Sequence, residues 1–383
     1  MFAALMRGES AIRPVFPELA KPAVAALAPF DASRWFSKLQ LVGVDRVSQM
    51  AVAAASLAVE DAGGHDGIDA SRLGVYVGCG LGGMGSLDAA YHAALQTGGR
   101  VPPLTIPALM ANAPAAHVAM RQGARGPVLT YSVACASSAV ALSEAAKAVA
   151  CGDVDMAIAG GSEAIVVPGS MMAWQAMQTL ASVDSQEPEA AVKPFDVRRS
   201  GFALGEGAAF LVLERASQAE ARGVSVYSLL RGWGLTCDAT HLTKPDVAGQ
   251  ARALADALRR AQVSPADVGY VNAHGTATRI GDVVECEALA SVWGSDLQAL
   301  RVSSTKALHG HLLGGAGALE AVITVLALQA RRAPPNSHCQ QQDPACAVVL
   351  VPDAGEEIGG PGAAISSSFA FGGTNSALLF TRI

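Results

Sequence analysis

Short apolar segments alternate with alanine-rich segments of helical length along the whole sequence. Apolar runs of about four to eight residues bounded by glycine or polar residues predict strands, and longer alanine- and leucine-rich stretches predict helices. Strands that alternate with helices are typical of an α/β protein. The pattern predicts strands at residues 73–77, 128–133, 154–159, 208–214, 224–233, 268–272, 301–304, 363–368 and 376–381, and helices at residues 136–150, 250–261 and 316–331.

The order of these elements repeats once. The strand VLTYSV, the loop ACASS, a helix and the strands VDMAIA and AAFLVLE have a later counterpart in the strand RVSS, the loop TKALHGHLLGG, a helix and two C-terminal strands. The repeat predicts two similar halves, residues 1–223 and 224–383. Because α/β folds bind ligands beyond the carboxyl ends of their strands, we expect the loop of Cys135 to face the loop of residues 306–311.

Composition narrows the class of protein. Of the 383 residues, 51% are hydrophobic and 16% are charged, which indicates a large buried core. A net charge of −6 without a long basic run argues against a nucleic-acid partner. The uncharged stretches 101–120 and 165–183 contain proline and polar residues, so neither is predicted to span a membrane. The seven cysteines form no CxxC pair, which disfavours disulfides and a zinc site and predicts a cytoplasmic location.

The candidate nucleophile is Cys135, in the segment SVACASSAV between a predicted strand and the first turn of a helix. Unpaired N–H groups and the dipole of that turn are expected to lower the pKa of the thiol and favour the thiolate. Most buried cysteines are inert, and Cys79 beside the glycine-rich turn GCGLGG is the nearest alternative. No apolar helix begins directly behind Cys79, so its position favours Cys135 as the nucleophile.

Two histidines also follow predicted strands and turns of small residues, namely His274 in VNAHGTATRIGD and His311 in SSTKALHGHLLGG. A single histidine is most often structural, but two that are presented alike at strand ends predict a pair of oxyanion donors. The alternative is a metal site at His309 and His311. No Asp, Glu or Cys flanks them at ligand-like spacing, so no metal is expected.

Two further features adjoin this candidate site. Lys306 and Glu320 are spaced to form either a buried ion pair that orients the histidine loop or an ordinary surface pair. The C-terminal segment SSSFAFGGTNS places two phenylalanines beside Gly372 and Gly373. It predicts either a mobile cover whose N–H groups face the nucleophile or a plain glycine turn between strands.

Together these motifs resemble those of the elongating β-ketoacyl-acyl carrier protein synthases of fatty-acid and type II polyketide synthesis. The resemblance rests on segments that span nearly the whole chain, namely ACASS, KPFDVRRSGFALGEGAA, CDATHLTKPD, NAHGTAT, STKALHGHLLGGAG and FAFGGTN. It implies a thiolase-like α/β fold, a five-layer αβαβα sandwich. It also implies a first apolar strand inside the first sheet. Met1 falls within the helix that follows this strand in relatives, so the strand is expected to be missing from the sequence.

The resemblance implies a decarboxylative Claisen condensation. Cys135 would take an acyl chain as a thioester, and His274 and His311 would hold the malonyl thioester while it loses CO₂. Backbone N–H groups of Cys135 and Phe371 would hold the oxyanion formed in the attack. The resemblance also implies that Lys306 and Glu320 form a supporting ion pair and that Arg199 docks the carrier. The residues implied to line the site for the phosphopantetheine arm and the substrate are Thr276, Thr278, Phe369, Phe371 and Gly372.

The resemblance also implies partners. The phosphopantetheine arm would arrive on an acyl carrier protein, so no cofactor of the chain's own is expected, and the chain would form a homodimer or a heterodimer with a related subunit.

Two other functions use this fold. A non-catalytic chain-length subunit characteristically loses the cysteine, and Cys135 is retained here. A non-decarboxylative thiolase needs a second cysteine in the C-terminal glycine loop, where FAFGGTN has none. That loop has Ala370 where relatives have glycine. Alanine allows fewer backbone conformations than glycine, so the loop over the nucleophile is predicted to move less freely.

Overall fold

Two β-sheets alternate with three layers of helices in the computed structural model, which describes residues 1–183, 186–360 and 362–383. The α-helices are α1 (Phe2–Met6), α2 (Arg46–Asp61), α3 (Met84–Gln96), α4 (Thr105–Leu109), α5 (Ala113–Gln122), α6 (Ser137–Cys151), α7 (Pro168–Ala176), α8 (Ala216–Arg222), α9 (Val247–Ala261), α10 (Gly281–Trp293), α11 (Lys306–His309) and α12 (Ala316–Ala330).

The strands fall into two main sheets and two small ones. They are β1 (Ile12–Val15), β2 (Ala23–Ala26), β3 (Leu73–Gly78), β4 (Val128–Tyr131), β5 (Met156–Glu163), β6 (Leu204–Gly205), β7 (Gly207–Glu214), β8 (Leu229–Cys237), β9 (Val268–Asn272), β10 (Arg301–Ser303), β11 (Arg332–Ala333), β12 (Val349–Leu350), β13 (Glu356–Glu357), β14 (Ala363–Phe369) and β15 (Thr374–Thr381).

The two main sheets share the order of four strands. The first has the order β4-β3-β5-β7 and the second the order β12-β10-β9-β14-β15-β8. In each, parallel strands end against one antiparallel strand, β7 or β15. Helices α6 and α12 lie together between the sheets, α2 and α5 cover the first sheet, and α9 and α10 cover the second. The predicted five-layer αβαβα sandwich is confirmed, while the predicted boundary near Gly223 stays a prediction.

Local sequence explains most element boundaries. The carboxylates of Asp45 and Asp246 accept N–H groups in the first turns of α2 and α9, as N-caps do. Gly152 ends α6 in the left-handed conformation, with φ of 79°, which glycine adopts without steric cost. The strand predicted at residues 224–233 is wrong in its bounds, because residues 224–228 alternate in polarity but have no strand to pair with, and β8 extends to Cys237.

Two segments are long and apolar enough to cross a membrane by length and composition alone, Ala134–Cys151 and Leu313–Ala330. They contain α6 and α12, and 61% and 78% of their windows are buried inside the protein. Since both helices lie in the middle layer between the two sheets, packing against protein accounts for their hydrophobicity.

The second main sheet has one more strand at each edge than the first, β12 beside β10 and β8 beside β15. β8 pairs antiparallel with β15 and closes the second sheet, but within the described residues no strand pairs with the outer side of β7, which holds the place of β15 in the first sheet. This strand order puts the first strand of a half beside its last strand, at the sheet edge. The prediction that the first strand lies inside its sheet, between two neighbours, is therefore wrong.

Candidate active site

The loop between β4 and α6 presents Cys135 at the start of the helix. The N–H of Val133 donates to Ser137 Oγ at 2.9 Å, and that hydroxyl donates to the carbonyl of Ala134 at 2.6 Å. Ala134 adopts a φ of 48°, which turns the chain sharply just before the cysteine. The Cys135 side chain is held in place by this turn, and the residue is 7% exposed.

The two predicted histidines converge on this thiol from the second half. His311 Nε2 lies 3.0 Å from Cys135 Sγ. The His274 and His311 rings are nearly perpendicular, at 81°, with centroids 5.4 Å apart. Sγ and one nitrogen from each ring lie within 4.8 Å of one another. Three side chains from strand ends of both halves therefore meet at one point, as the repeat predicts.

Burial controls the protonation of Cys135, His274 and His311, called the trio below. It raises the pKa of Cys135 to about 12, although the charge of Lys306 and the N–H of Phe371 act in the opposite direction. The predicted lowering of this pKa is therefore wrong, because the loss of water around a fully buried sulfur outweighs the charge of Lys306 and the two backbone N–H groups. Burial, followed by the charge of Lys306, holds the pKa values of His274 and His311 well below the usual range. At neutral pH the resting site contains a thiol and two neutral imidazoles.

Lys306 and Glu320 form an ion pair, and both side chains are 1% exposed or less. The surface-pair alternative is thus wrong. Burial raises the pKa of Glu320 to about 7, and the ammonium group of Lys306 opposes that rise. The same ammonium group lowers the pKa values of both catalytic-site histidines, so the pair supports their neutral form.

The segment from Phe369 to Gly373 forms a tight turn over the thiol. The N–H of Gly373 donates to the carbonyl of Ala370 at 3.0 Å, and the N–H of Ala370 donates to the carbonyl of Thr374 at 2.8 Å. The N–H of Phe371 points to Cys135 Sγ, as does the N–H of Cys135 itself. These are the two donors that the resemblance implies for the oxyanion.

Aromatic rings connect this turn to the histidines in a closed chain of contacts. Trp174 stacks on Phe371 with centroids 6.5 Å apart and meets Phe202 edge to face at 5.6 Å. Phe202 contacts His311 at 5.2 Å, and His274 contacts Phe369 at 6.1 Å. Because Phe369 and Phe371 belong to one turn, a movement of the turn breaks ring contacts on both sides.

We expect Ala370→Gly to speed acyl loading by about two- to fivefold, the size of a backbone restriction of 0.5–1 kcal/mol that glycine relieves. In the closed turn the left-handed φ values belong to Gly372 and Gly373, at 86° and 79°, and not to Ala370, so the restriction acts when the turn moves. Rapid-quench mass spectrometry of the acyl-enzyme measures the rate. Ala345→Gly, in an exposed loop, is the control. Equal loading by Ala370→Gly and the unmodified protein would show that the turn moves without that freedom.

A cavity of about 630 Å³ leads from the surface to the trio. Thr276 and Thr278 line it, with their hydroxyl oxygens 3.1 Å apart, and so do Phe369 and Phe371. Gly372 is exposed and does not line the cavity. Cys135 also belongs to a cluster of buried apolar side chains, whose other members include Ile165, Val166, Met171, Phe202, Leu204 and Leu313. The site therefore has a polar entrance and an apolar interior.

Two domain families match the chain: the N-terminal domain of β-ketoacyl synthase over residues 10–219, and its C-terminal domain over residues 227–340. The chain belongs to the β-ketoacyl synthase family. It is 37% identical over 359 residues to 3-oxoacyl-[acyl-carrier-protein] synthase 2 of Vibrio cholerae serotype O1, across 92% of this chain and 86% of that relative. The resemblance stated from the motifs is confirmed.

Solved structures of ketosynthases share the whole fold. The ishigamide ketosynthase/chain length factor superposes with a TM-score of 0.91 at 30% identity, across 100% of this chain and 94% of the other. The complex AntDE:AntF, a type II polyketide synthase acyl-carrier protein with its ketosynthase bound to the hexaketide, gives 0.91 at 26% identity with the same coverage. The predicted thiolase-like fold is therefore confirmed.

In this β-ketoacyl synthase the structure argues against carrier docking by Arg199. The residue is 4% exposed, and its guanidinium donates to Asp343 Oδ2 at 2.7 Å and to the carbonyls of Thr278 and Arg279. A cation enclosed in this way is not available to another protein's surface. Arg199 instead holds the loop that carries Thr278 at the cavity entrance.

Two buried carboxylates escaped the sequence analysis. Glu285 accepts the N–H groups of His274 and Gly275 at 2.8 and 2.7 Å, which fixes the histidine turn. Glu163 accepts the N–H groups of Gly80 and Gly314 at 2.8 and 3.0 Å and so links loops from the two halves. Burial raises the pKa of Glu163 to about 7. The one available signal, a carboxylate at the end of an otherwise apolar strand, applies only to Glu163, because Glu285 lies in α10.

The positions of Cys79 and His309 argue against the alternative nucleophile and the alternative metal site. Cys79 is fully buried beside Glu163, and its pKa is raised well above the ordinary value by that burial. His309 donates to or accepts from Thr305 Oγ1 at 2.9 Å and does not join the trio. A metal held by His309 and His311 together thus has no support in this geometry.

Cys135, His274 and His311 are themselves close enough to hold a metal ion, so the absence of a metal requirement stays a prediction. We expect a chelator to leave the condensation rate unchanged, because two neutral imidazoles and backbone N–H groups can stabilise the oxyanion without an ion. Steady-state rates with and without chelator, followed by addition of zinc, measure this. A rate that falls on chelation and returns with zinc would assign these ligands to a metal.

Proposed function

We propose that this chain condenses an acyl group held on Cys135 with malonyl-acyl carrier protein and releases 3-oxoacyl-acyl carrier protein. The observation that carries the proposal is the contact of Cys135 Sγ with His311 Nε2, with His274 beside it, at the inner end of a cavity open to the surface. The chain needs no cofactor of its own in this reaction, because the carrier delivers the phosphopantetheine arm.

The first step is acyl transfer. The thiol of Cys135 is neutral at rest, and Sγ gives up its proton as it attacks the incoming thioester. His311 Nε2, 3.0 Å from Sγ, donates its N–H to the sulfur as negative charge develops there. The N–H groups that face Cys135, its own and that of Phe371, receive the oxyanion. The carrier sulfur leaves and takes the proton that the Cys135 thiol gives up. A new thioester forms at Cys135, and both imidazoles stay neutral with their N–H donors in place.

The second step is decarboxylation. The carbonyl of the malonyl thioester lies against His274 and His311, whose N–H groups stabilise the enolate as CO₂ departs. The enolate carbon then attacks the acyl carbonyl, and the bond to Cys135 Sγ breaks. The thiolate takes one proton from solvent, so acyl-enzyme, malonyl-carrier and H⁺ give 3-oxoacyl-carrier, CO₂ and free thiol. Neutral histidines suit this step, because each keeps one donor nitrogen without a charge that must be buried.

Mass spectrometry of the purified protein tests this function. The protein is incubated with a panel of acyl-carrier proteins of different chain length and then with malonyl-carrier protein. We expect an acyl adduct on the peptide that contains Cys135, followed by a carrier product longer by two carbons, with loss of CO₂. An acyl adduct at another cysteine, or elongation without any adduct, would contradict the proposal, and the panel would show the preferred chain length.

We propose that Lys244 and Arg279 guide the carrier to the entrance in place of Arg199. Both are exposed and line the cavity that ends at the trio, so they meet the phosphate and acidic surface of an incoming carrier. We expect Lys244→Glu with Arg279→Glu to raise KM for the carrier about tenfold or more at low salt, with little change in kcat. The matched control is Arg100→Glu, which removes an exposed cation outside the cavity lining. If Arg100→Glu raised KM as much as Lys244→Glu with Arg279→Glu does, the weaker carrier binding would be due to net charge.

We propose that a second, related chain covers the outer edge of β4. This strand ends the first sheet, and its Val128 and Leu129 are exposed. Other exposed apolar side chains of the first half are Leu81, Tyr91, Leu95, Met110 and Met120. An exposed apolar sheet edge is a surface that proteins cover. The name of the ishigamide ketosynthase/chain length factor pairs a ketosynthase with a chain length factor. Native mass spectrometry of the purified protein distinguishes a homodimer from a heterodimer.

A cytoplasmic location also remains a proposal. All seven cysteines are free, and three of them are exposed or partly exposed. Free thiols of this kind are typical of reducing compartments.

A further inference from the structure

The buried carboxylate of Glu163 ties together loops that lead to the reacting side chains. Glu163 is the last residue of β5 and is 0% exposed. Its Oε2 accepts the N–H groups of Gly80 and Gly314 at 2.8 and 3.0 Å, and its Oε1 accepts the N–H of Leu81 at 3.2 Å. Gly80 and Leu81 follow β3 in the first half, and Gly314 precedes α12 in the second. One side chain therefore joins loops from both halves.

These loops reach the nucleophile and its histidine partner within a few residues. The carbonyl of Gly80 accepts a hydrogen bond from Ser132 Oγ at 3.1 Å, and Ser132 stands three positions before Cys135. On the other side of the carboxylate, Gly314 stands three positions after His311. The chain of contacts from Sγ to Nε2 through the protein thus passes through Glu163.

The two loops meet backbone to backbone at this carboxylate. A Cβ atom added to Gly314 would lie 2.3 Å from the N atom of Gly80, and one added to Gly80 would lie 2.6 Å from Glu163 Oε2. Neither position has room for a side chain, so the spacing of the loops is set by the acceptor between them. The 3.0 Å contact of Cys135 Sγ with His311 Nε2 spans the same two halves and depends on that spacing.

The internal repeat offers a comparison. β3 and β9 hold the same place in the shared order of four strands, and Gly80 and His274 each stand two positions after those strands. After β9, Glu285 accepts two successive N–H groups, the first of them that of His274. After β3, Glu163 accepts the N–H of Gly80 and that of the next residue. The equivalent turn in the second half, fixed in the same way, carries a catalytic-site histidine.

We propose that Glu163 is a positioning residue that sets the distance between Cys135 and His311. The role rests on the condensation proposed above, because only that reaction gives the distance a function. Glu163 does not line the catalytic cavity, so it acts on the reacting atoms through the loops that it holds. The role requires reach, since one oxygen must meet the N–H groups of Gly80 and Gly314 together.

Two substitutions separate reach from charge. Glu163→Gln keeps the length, and its amide oxygen can take the place of Oε2 while only the hydrogen bond from Leu81 is lost. Glu163→Asp keeps the charge but is shorter by one methylene, so it cannot meet both loops. We expect kcat for condensation to stay within about threefold in Glu163→Gln and to fall at least about tenfold in Glu163→Asp, because small displacements of reacting groups are costly. KM for the carrier should not change in either variant.

Alkylation of Cys135 by iodoacetamide measures the same effect without any carrier. Peptide mass mapping follows Cys135, and the exposed free thiol of Cys151 is the reference in the same sample. We expect Glu163→Asp to slow alkylation of Cys135 at least about fivefold relative to Cys151, the loss expected when one hydrogen bond to a developing charge is broken. If the unmodified protein forms no acyl adduct, the proposed condensation fails, and alkylation still decides whether Glu163 positions the thiol.

Matched variants control for stability and folding. Ile158→Val removes a buried methylene from the same strand and should lower the melting temperature without changing kcat. Should Glu163→Asp not fold, Gly80→Ala displaces the same loop, because its Cβ would lie 2.6 Å from Glu163 Oε2, and it should give the same fall in kcat.

Four results would overturn the proposal. Glu163→Asp at least as active as Glu163→Gln would show that charge and not reach matters. A fall in kcat of equal size in Ile158→Val would assign the effect to stability. A raised KM with unchanged kcat would assign it to carrier binding. Alkylation of Cys135 that is unchanged or faster in Glu163→Asp would show that the thiol keeps its partner without this carboxylate.

Discussion

Replacement of Cys135 by alanine should abolish formation of the acyl-enzyme and leave the fold intact. The change removes only the sulfur that lies 3.0 Å from His311 Nε2, and alanine fits the turn between β4 and α6. Loss of one buried sulfur should lower the free energy of unfolding by about 1–2 kcal/mol, which is small beside the 5–15 kcal/mol that holds a typical domain. Intact-protein mass spectrometry after incubation with acyl-carrier protein measures the first effect, and a thermal melt measures the second.

Cys135→Gln separates the two half-reactions and serves as the partner experiment. Its side-chain amide resembles an acylated cysteine, so decarboxylation of malonyl-carrier protein should continue or increase while condensation is lost. Release of CO₂ and appearance of 3-oxoacyl product are followed in the same sample. A mass shift at residue 135 in the alanine variant, or unchanged condensation in either variant, would contradict the assignment of Cys135 as the nucleophile.

Replacement of His274 or His311 by alanine should slow decarboxylation about 10²-fold or more, the usual cost of losing one donor to a developing oxyanion. Both rings lie next to the thiol, so each loss leaves only one imidazole for the enolate. Self-acylation should fall less in His274→Ala, because His311 alone contacts Cys135 Sγ. The two half-reactions are measured separately, by CO₂ release and by acyl-enzyme mass.

The pH dependence gives an independent check on the histidines. Burial lowers both of their pKa values well below the ordinary value, so the neutral, donating form should persist as the pH falls through about 6.5, the ordinary pKa of histidine. Decarboxylation by the unmodified protein should therefore not fall with an apparent pKa near that value. Normal decarboxylation by His311→Ala, or a rate that follows an unperturbed histidine, would rule out the paired role.

Much of the site could be predicted because each residue sits at a strand end. The apolar segments before Cys135, His274 and Lys306 predict β4, β9 and β10, all of which the structure contains. The repeat then indicated that the loops of the two halves would meet. The protonation states of these side chains, their burial and their hydrogen-bond partners in the other half could not be predicted in this way, because they depend on side chains far apart along the chain.

Arg199 and Glu163 show where prediction of a single residue's role from the sequence fails. Arg199 stands in a motif that resembles a docking segment, but its partner Asp343 is 144 positions away and encloses it. Glu163 accepts an N–H from Gly314, 151 positions away. Neither contact leaves a periodic signal in local sequence, since the two members of each pair lie on different elements that only the packed sheets bring together.

The sequence by itself determined the α/β class, the repeat of two halves, and the cysteine and two histidines that form the site, because apolar periodicity and strand-end position are local properties. Only the tertiary structure decided that the thiol is neutral at rest and that Lys306 and Glu320 are buried together. It alone showed that the first strand position is a sheet edge. Burial and strand order are properties of the assembled layers, and the free energy that controls them comes from contacts between segments distant along the chain.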